Sequence, residues 1–280
     1  MTRLSTGMRH PRNLSADSKG SIHDDNTAQD LGFRGGTVAG DIHLEQFGGI
    51  CVEGFGNQWF ENGFVSMYFQ QVTTDNEPVD AYIDGEGSLR TAGIVTPEGA
   101  VVAEGNVGLG DNSRSALNTL DRRSVDPSTL RMMKDVRVGQ PTDLSVRYPN
   151  VAGQMQRINS QSMTAPLDWY SQPSPWGGPI CSPLTACQLL VANATDSIAA
   201  ACGPFVGMYG AIEVRHINGP LFLDVEYVIS GEVLAVSDTP KTEVLWFRTQ
   251  ARPSIDPEGP AIAEVTMMTR LLKASSPLYA

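Results

Sequence analysis

The chain repeats itself, and the repeat limits the folds open to it more than any other feature. Phe64–Tyr68 reads FVSMY and Phe205–Tyr209 reads FVGMY, 141 residues later. Upstream, FRGGTVAG at 33–40 answers PWGGPICS at 175–182, which sets Gly35–Gly36 against Gly177–Gly178 at an offset of 142. Downstream, IDGE at 83–86 answers ISGE at 229–232 at an offset of 146. Three matches in one order, with slowly drifting offsets, mark a duplicated unit with a few residues inserted in the second copy.

Each copy runs through the same elements: a polar loop, a Gly-Gly turn, an apolar helical segment, then several strand-like runs. In DIHLEQFGGICVEGF (41–55), Leu44, Phe47, Cys51 and Phe55 recur at spacings of three and four, as on one face of a helix. Gly48, Gly49 and Gly54 each cost that helix about 1 kcal/mol relative to Ala, which predicts a sheet packed very close to it. The second copy's PLTACQLLVANATDSIAAA (183–201) is a better helix, with Pro183 near its first turn. The first copy continues with FVSMYFQQVT, PVDAYIDGEGSL and AVVAEGNVGL. The second continues with FVGMYGAIEVR, LFLDVEYVISGEVLAV, TEVLWFRTQA and AIAEVTMMTRLL. These runs are rich in β-branched and aromatic residues and are divided by turn residues, so they read as strands. One helix followed by antiparallel strands, twice over, is an α+β pattern. The expected boundaries are 1–110 for the first unit, 111–133 for a polar linker and 134–280 for the second unit, which KDVRVGQPTDLSVRYPN opens as a strand.

A net charge of −11 argues against a nucleic-acid partner, which requires a basic footprint. It leaves room for an anionic small molecule, for which a few local arginines suffice. No apolar run is long enough to span a bilayer, and the polar N-terminal stretch lacks the apolar centre of a secretory signal. Cys51, Cys181, Cys187 and Cys202 show no CxxC spacing and read as buried reduced thiols of a cytoplasmic protein. The four histidines, His10, His23, His43 and His216, are too scattered to form a metal site by local spacing, so no metal is expected.

The stretch SIHDDNTAQDLGFRGGTVAG (21–40) resembles the hotdog superfamily, in particular its MaoC-like hydratase/dehydratase branch and the related thioesterases. The residues that carry the resemblance are His23, Asp25, Ala28, Gly32, Phe33, Gly35 and Gly40. The resemblance implies a double hotdog, in which each sheet wraps its own helix and the two sheets join edge to edge. It also implies an acyl-thioester substrate, with coenzyme A or a carrier's phosphopantetheine as part of that substrate and no separate cofactor. In that branch a D-x-N-P-[LIV]-H motif supplies an Asp and a His that act on water and the substrate α-carbon. Here His23 matches the histidine and Ile22 the aliphatic residue, but Gly20 and Ser21 stand at Asn-Pro and Ser18 stands at the Asp, with Asp17 one residue too early. The carboxylate partner is therefore open between Asp17, Asp24 and Asp25. Gly40 matches the glycine at the helix start, whose amide polarises the thioester carbonyl. Aligned on Gly177–Gly178, the second copy has Ala165 at the histidine and Pro166–Leu167 at the two aspartates. The first copy would hold the active site and the second would shape the acyl pocket.

Each candidate also has an ordinary structural reading. His23 is a general acid/base, since imidazole exchanges protons near neutral pH, or a loop residue bonded to a turn. Adjacent Asp24 and Asp25 point apart, so only one reaches His23, and either is a natural N-cap for a short helix at Asn26–Thr27. Asp41, His43 and Glu45 read singly as polar residues of an exposed helix start, although a carboxylate there suits the thioesterase branch. His43 and Glu45, two apart, cannot share a helix face. Arg34, in the turn with Gly35 and Gly36, would meet substrate phosphates, or is a solvated surface charge like Arg9, Arg12 and Lys19. Trp59, Trp169, Trp176 and Trp246 read as core or interface. The function that follows is a hydro-lyase on an acyl thioester. A hotdog thioesterase, a non-catalytic acyl-binding protein and a lyase or isomerase on a non-thioester substrate are the alternatives. Unpaired sheet edges make a homodimer a further expectation.

Overall fold

The strand-like runs of both copies enter one antiparallel sheet. The computed structural model describes residues 3–280, apart from the side chains at 193, 195 and 196. Its strands are β1 (Leu4–Arg9), β2 (Gly63–Phe69), β3 (Val79–Asp84), β4 (Leu89–Val95), β5 (Val101–Leu109), β6 (Ser145–Arg147), β7 (Val206–His216), β8 (Tyr227–Asp238), β9 (Thr242–Pro253) and β10 (Ala263–Leu272). The helices are α1 (Asp25–Asp30), α2 (Gly40–Leu44), α3 (Phe47–Phe55), α4 (Trp59–Asn62), α5 (Val151–Asn159) and α6 (Pro183–Ala199). Across the sheet the order is β1-β3-β4-β5-β2-β7-β10-β9-β8-β6. The first copy builds one half and the second the other, and they join where β2 pairs with β7, from Phe64 opposite Arg215 to Tyr68 opposite Ala211. FVSMY lies within β2 at the seam, while FVGMY opens the other seam strand, β7, ahead of the residues that pair with β2.

Each half curls around its own helix. Leu44, Phe47, Cys51 and Phe55 are all buried in the main core, as their spacing predicts. The helix they form is broken, however: α2 ends at Leu44 and α3 begins at Phe47, with Glu45 and Gln46 in the break. The expected close approach of the sheet is found at Gly54, where an added Cβ would lie 2.9 Å from Ile83 of β3, whereas Gly48 and Gly49 face Tyr170 and Leu167 of the second half. α6 packs against β7, β8, β9 and β10 and touches α2 across the seam.

The strands differ in detail from the expected runs. IDGE and ISGE begin on matching strands, β3 and β8, each second from its edge of the sheet, but Ile83–Asp84 end β3 and the chain turns at Gly85, whereas Ile229–Glu232 continue as strand within β8. The segment before Pro149 contributes only the three residues of β6, at the sheet's edge. β1 gave no signal in the sequence because an edge strand of alternating half-exposed residues, LSTGMR, carries no apolar run. Leu117, in the segment after β5, is buried on the outer face of the sheet with Ala211, Ala235, Val244, Trp246 and Met268. Leu130, Met132 and Met133 then enter the main core, and Glu243 accepts the N–H groups of Arg131, Met132 and Met133 at 2.7, 3.0 and 2.9 Å.

Candidate active site

The strip from Ser18 to Gly40 is tied down by its own polar groups. Asp24 is the N-cap of α1, accepting from the Thr27 N–H at 3.3 Å and the Thr27 hydroxyl at 2.7 Å. Lys19 lies 2.8 Å from it and, with the Thr27 bonds, holds its carboxyl down at about 2. Asp25 accepts the Gly36 N–H at 2.7 Å and so fastens the glycine turn to α1. Gly36 has no room for a side chain, because a Cβ there would overlap the His23 carbonyl oxygen. The Asn13 amide donates to that same oxygen at 2.8 Å. These contacts fix His23 at the backbone. Its ring is fixed by Nδ1, 2.7 Å from the Thr37 carbonyl oxygen. A carbonyl only accepts, so Nδ1 carries the proton and Nε2 carries the lone pair.

His23, Gly40 and His43 line a single cavity of about 280 Å³. The rest of its wall comes from both halves: Phe69 and the 70–73 segment of the first, and Ile198, Phe205, Leu245, Phe247 and Leu271 among the residues of the second. Such a mainly apolar cavity with a few polar groups suits a small organic ligand. Gly40 is the first residue of α2, and the N–H groups of a helix start have no partner inside the helix. Its lack of a side chain lets the Phe69 ring approach to 2.9 Å of where a Cβ would stand.

The other predicted residues are placed elsewhere. Among the described residues no Asp or Glu lines the cavity. Asp17 is exposed, and Asp24 and Asp25 serve α1 and the glycine turn. Arg34 is exposed and holds Glu77 through both carboxylate oxygens, at 2.9 and 2.8 Å. Gly35 and Gly36 shape the turn. Asp41, His43 and Glu45 are all buried, at 4%, 2% and 1% exposure, which overturns the expected exposed helix start. The second half covers it. Arg157 of α5 reaches Glu45 at 3.2 Å, and Glu45 also accepts the Ser182 hydroxyl at 2.9 Å. Burial pushes the Glu45 carboxyl up to about 7 against the pull of Arg157, and raises Asp41 to about 6. As their spacing requires, Glu45 faces α5 and α6 while His43 faces the cavity.

Two backbone clamps show which residues of the halves correspond. The Thr37 N–H donates to Ile22 O and the Val38 N–H to Thr73 O, at 2.9 and 2.8 Å. In the second half the Ile180 N–H donates to Trp169 O and the Cys181 N–H to Leu221 O, at the same distances. His23, which follows Ile22, thus corresponds to Tyr170, which follows Trp169. This corrects the alignment with Ala165: the loop before α6 is shorter than the one before α2, and a match on the glycines alone cannot register that. Gly40 corresponds to Pro183, which has no N–H, and Thr73 corresponds to Leu221.

The fold is a double hotdog shared with solved structures. One is a putative MaoC domain protein dehydratase from Chloroflexus aurantiacus, with TM-score 0.62 and 16% identity over 97% of this chain and 94% of that one. A Mycobacterium tuberculosis protein described as having a double hotdog fold has TM-score 0.61 and 10% identity over 96% and 95% of the two chains. A MaoC-like dehydratase has TM-score 0.55 and 11% identity over 96% and 97%. No family model matches the sequence, and no curated protein matches it. Among the described residues no helix is long and apolar enough to cross a membrane.

Proposed function

We propose that the protein is a hydratase/dehydratase that interconverts enoyl and 3-hydroxyacyl thioesters, with His23 as its proton carrier. The observation that carries this reading is the convergence of His23, the start of α2 at Gly40 and an apolar wall in one cavity. With the thioester carbonyl beside Gly40, the free N–H there receives the charge that develops on oxygen when the α-carbon loses a proton. His23 Nε2 takes that proton. As the β-hydroxyl departs, the imidazolium returns the same proton to it and water leaves. One imidazole, held by Thr37, serves as base and then as acid, so the elimination balances without a carboxylate in the cavity. Addition of water is the reverse. Coenzyme A or a carrier arm enters as part of the substrate, and the chain itself supplies the acid/base chemistry with no added cofactor.

The test is the change in enoyl conjugation when purified protein meets enoyl-CoA thioesters of increasing chain length. His23→Ala should lower turnover by about 10²–10⁴-fold. Full turnover in that variant, or release of free thiol in place of hydration, sinks the assignment. We also propose a homodimer through the β6 edge, where Leu144, Val146 and Tyr148 are 69%, 53% and 62% exposed. Light scattering at the mass of one chain rules it out.

A further inference from the structure

Around the reacting end of the cavity one polar arrangement is not used by the reaction above. His43 and Thr73 both line the cavity and are only 2% and 1% exposed. The amide nitrogen of Gln46, itself fully buried, faces His43 Nδ1 at 3.3 Å. His43 Nε2 lies 2.9 Å from Thr73 Oγ1. An amide N–H only donates, so Nδ1 is the accepting nitrogen and the ring proton sits on Nε2, directed at the threonine oxygen. That bond occupies a lone pair of the hydroxyl and leaves its hydrogen to be donated. Thr73 is held in place by the Val38 N–H on its carbonyl, two residues ahead of Gly40.

The same places in the second half show that the fold does not need this arrangement. Counted from the start of each helix, His43 corresponds to Ala186 and Gln46 to Leu189, and the clamp sets Thr73 against Leu221. The second half packs Leu–Ala–Leu where the first has Gln–His–Thr. Burying three polar groups is unfavourable unless each finds a partner, and the apolar set satisfies the same backbone. The polar chain is therefore held for what it presents to the cavity.

Resting on the acyl-thioester reading, we propose that the Thr73 hydroxyl, aimed by His43 and Gln46, is a second hydrogen-bond donor to the thioester carbonyl oxygen beside the Gly40 N–H. Thr73 touches the substrate; His43 and Gln46 are positioning residues. His43 suits that role in its neutral form, since burial lowers its pKa to about 4 and it donates from Nε2 throughout the neutral range.

The experiment compares two probes by calorimetry: the butyryl thioester of N-acetylcysteamine and the matching thioether, with a methylene in place of the carbonyl. The wild-type chain should bind the thioester at least tenfold more tightly, the size of one or two good hydrogen bonds. Thr73→Val should cut that preference about tenfold and Thr73→Ser should retain it. His43→Leu should cut it, and His43→Gln, which can still donate to Thr73, should restore part of it. The bound carbonyl stretch should move toward its free value in Thr73→Val and His43→Leu and not in Thr73→Ser. A preference unchanged in Thr73→Val, or absent in the wild type, overturns the proposal. Turnover is read separately on the wild type: no hydration with an intact, Thr73-dependent preference defeats the hydratase reading and leaves the donor standing. Hydration with a preference indifferent to Thr73 does the reverse.

Discussion

The two halves carry one backbone frame and two sets of side chains. The clamps at Thr37–Val38 and at Ile180–Cys181 have matching geometry, and a helix starts shortly after each, at Gly40 and at Pro183. In the first half the positions around the frame are His23, Gly40, His43 and Thr73. In the second they are Tyr170, Pro183, Ala186 and Leu221, so an imidazole, a glycine, a second imidazole and a hydroxyl are exchanged for an aromatic, a proline and two aliphatic residues. The difference teaches that the frame needs only its backbone bonds, and that the side chains are free to specialise. The first half brings two imidazoles and a hydroxyl to the cavity. The second adds Ile198, Phe205, Phe247 and Leu271 to the cavity's apolar wall.

The specialised halves are held together by charge as well as by the seam, and the largest expected effect lies there. Arg157 is 6% exposed and its partner Glu45 is 1% exposed. Removing the carboxylate strands the Arg157 guanidinium, which cannot shed its proton, so Glu45→Gln should lower stability by about 3–5 kcal/mol. Arg157→Leu added to it should recover much of the loss. Chemical denaturation of the single and double variants decides this. Equal loss in both would mean that shape, and not charge, joins the halves at this point.

The glycine turns give the next contrast. Gly36→Ala must push against the His23 backbone carbonyl, which is fixed by Asn13 and cannot yield. A loss of about 3 kcal/mol is expected, with turnover falling as His23 shifts. At the matching turn, the nearest atom to a Cβ on Gly178 is the Asp224 carboxylate at 3.7 Å. Gly178→Ala should therefore change stability by less than about 1 kcal/mol. If the two variants melt alike, the turns are equivalent after all and the tight packing on His23 is not what fixes it.

The repeat was legible because paired strands and a buried helix stripe leave periodic apolar patterns, and Leu44, Phe47, Cys51 and Phe55 answer that pattern one for one. His23 and Gly40 were legible through a short local motif. The burial of Asp41, His43 and Glu45 was not, because what covers them is α5 and α6, more than a hundred residues away. Thr73 was missed for a related reason: it follows β2 in an irregular segment, and only the Val38 clamp brings it beside α2. The counterpart of His23 was misplaced because loop length, and not residue type, separates Tyr170 from its glycines.

Titration offers a smaller test. His216, on β7, is 2% exposed among Trp59 and Phe60, with ring centroids 5.4 and 5.3 Å away, and neither ring nitrogen has a partner among the described residues. Burial lowers its pKa to about 4. The unfolded chain, with histidine near 6.5, binds the extra proton first, so the stability this residue allows is present above about 6.5 and is lost as pH falls toward 4. His216→Phe should remove that loss, making the variant about 3 kcal/mol more resistant at pH 4 than at pH 7 relative to wild type. His43 is also depressed by burial, and Asp41 is raised, with the opposite sign. Both are common to the two proteins and cancel in the difference. Parallel stability curves over this range would mean that His216 finds a partner in solution.

The smallest effect is expected at the residue that replaced His23. Tyr170 is fully buried, and its hydroxyl has no partner among the described residues. That hydroxyl occupies the space that a side chain on Gly48 would fill, against α3 and away from the cavity residues. If the second half has given up chemistry for packing, Tyr170→Phe removes a buried polar group without opening a hole, and should leave stability within about 1 kcal/mol or raise it slightly. Turnover should be unchanged, whereas His23→Phe, the reverse exchange at the matched position, should abolish it. Loss of turnover in Tyr170→Phe would show that the hydroxyl reaches beyond Gly48 to the reacting end, and the division of labour between the halves would have to be redrawn around a tyrosine in the second.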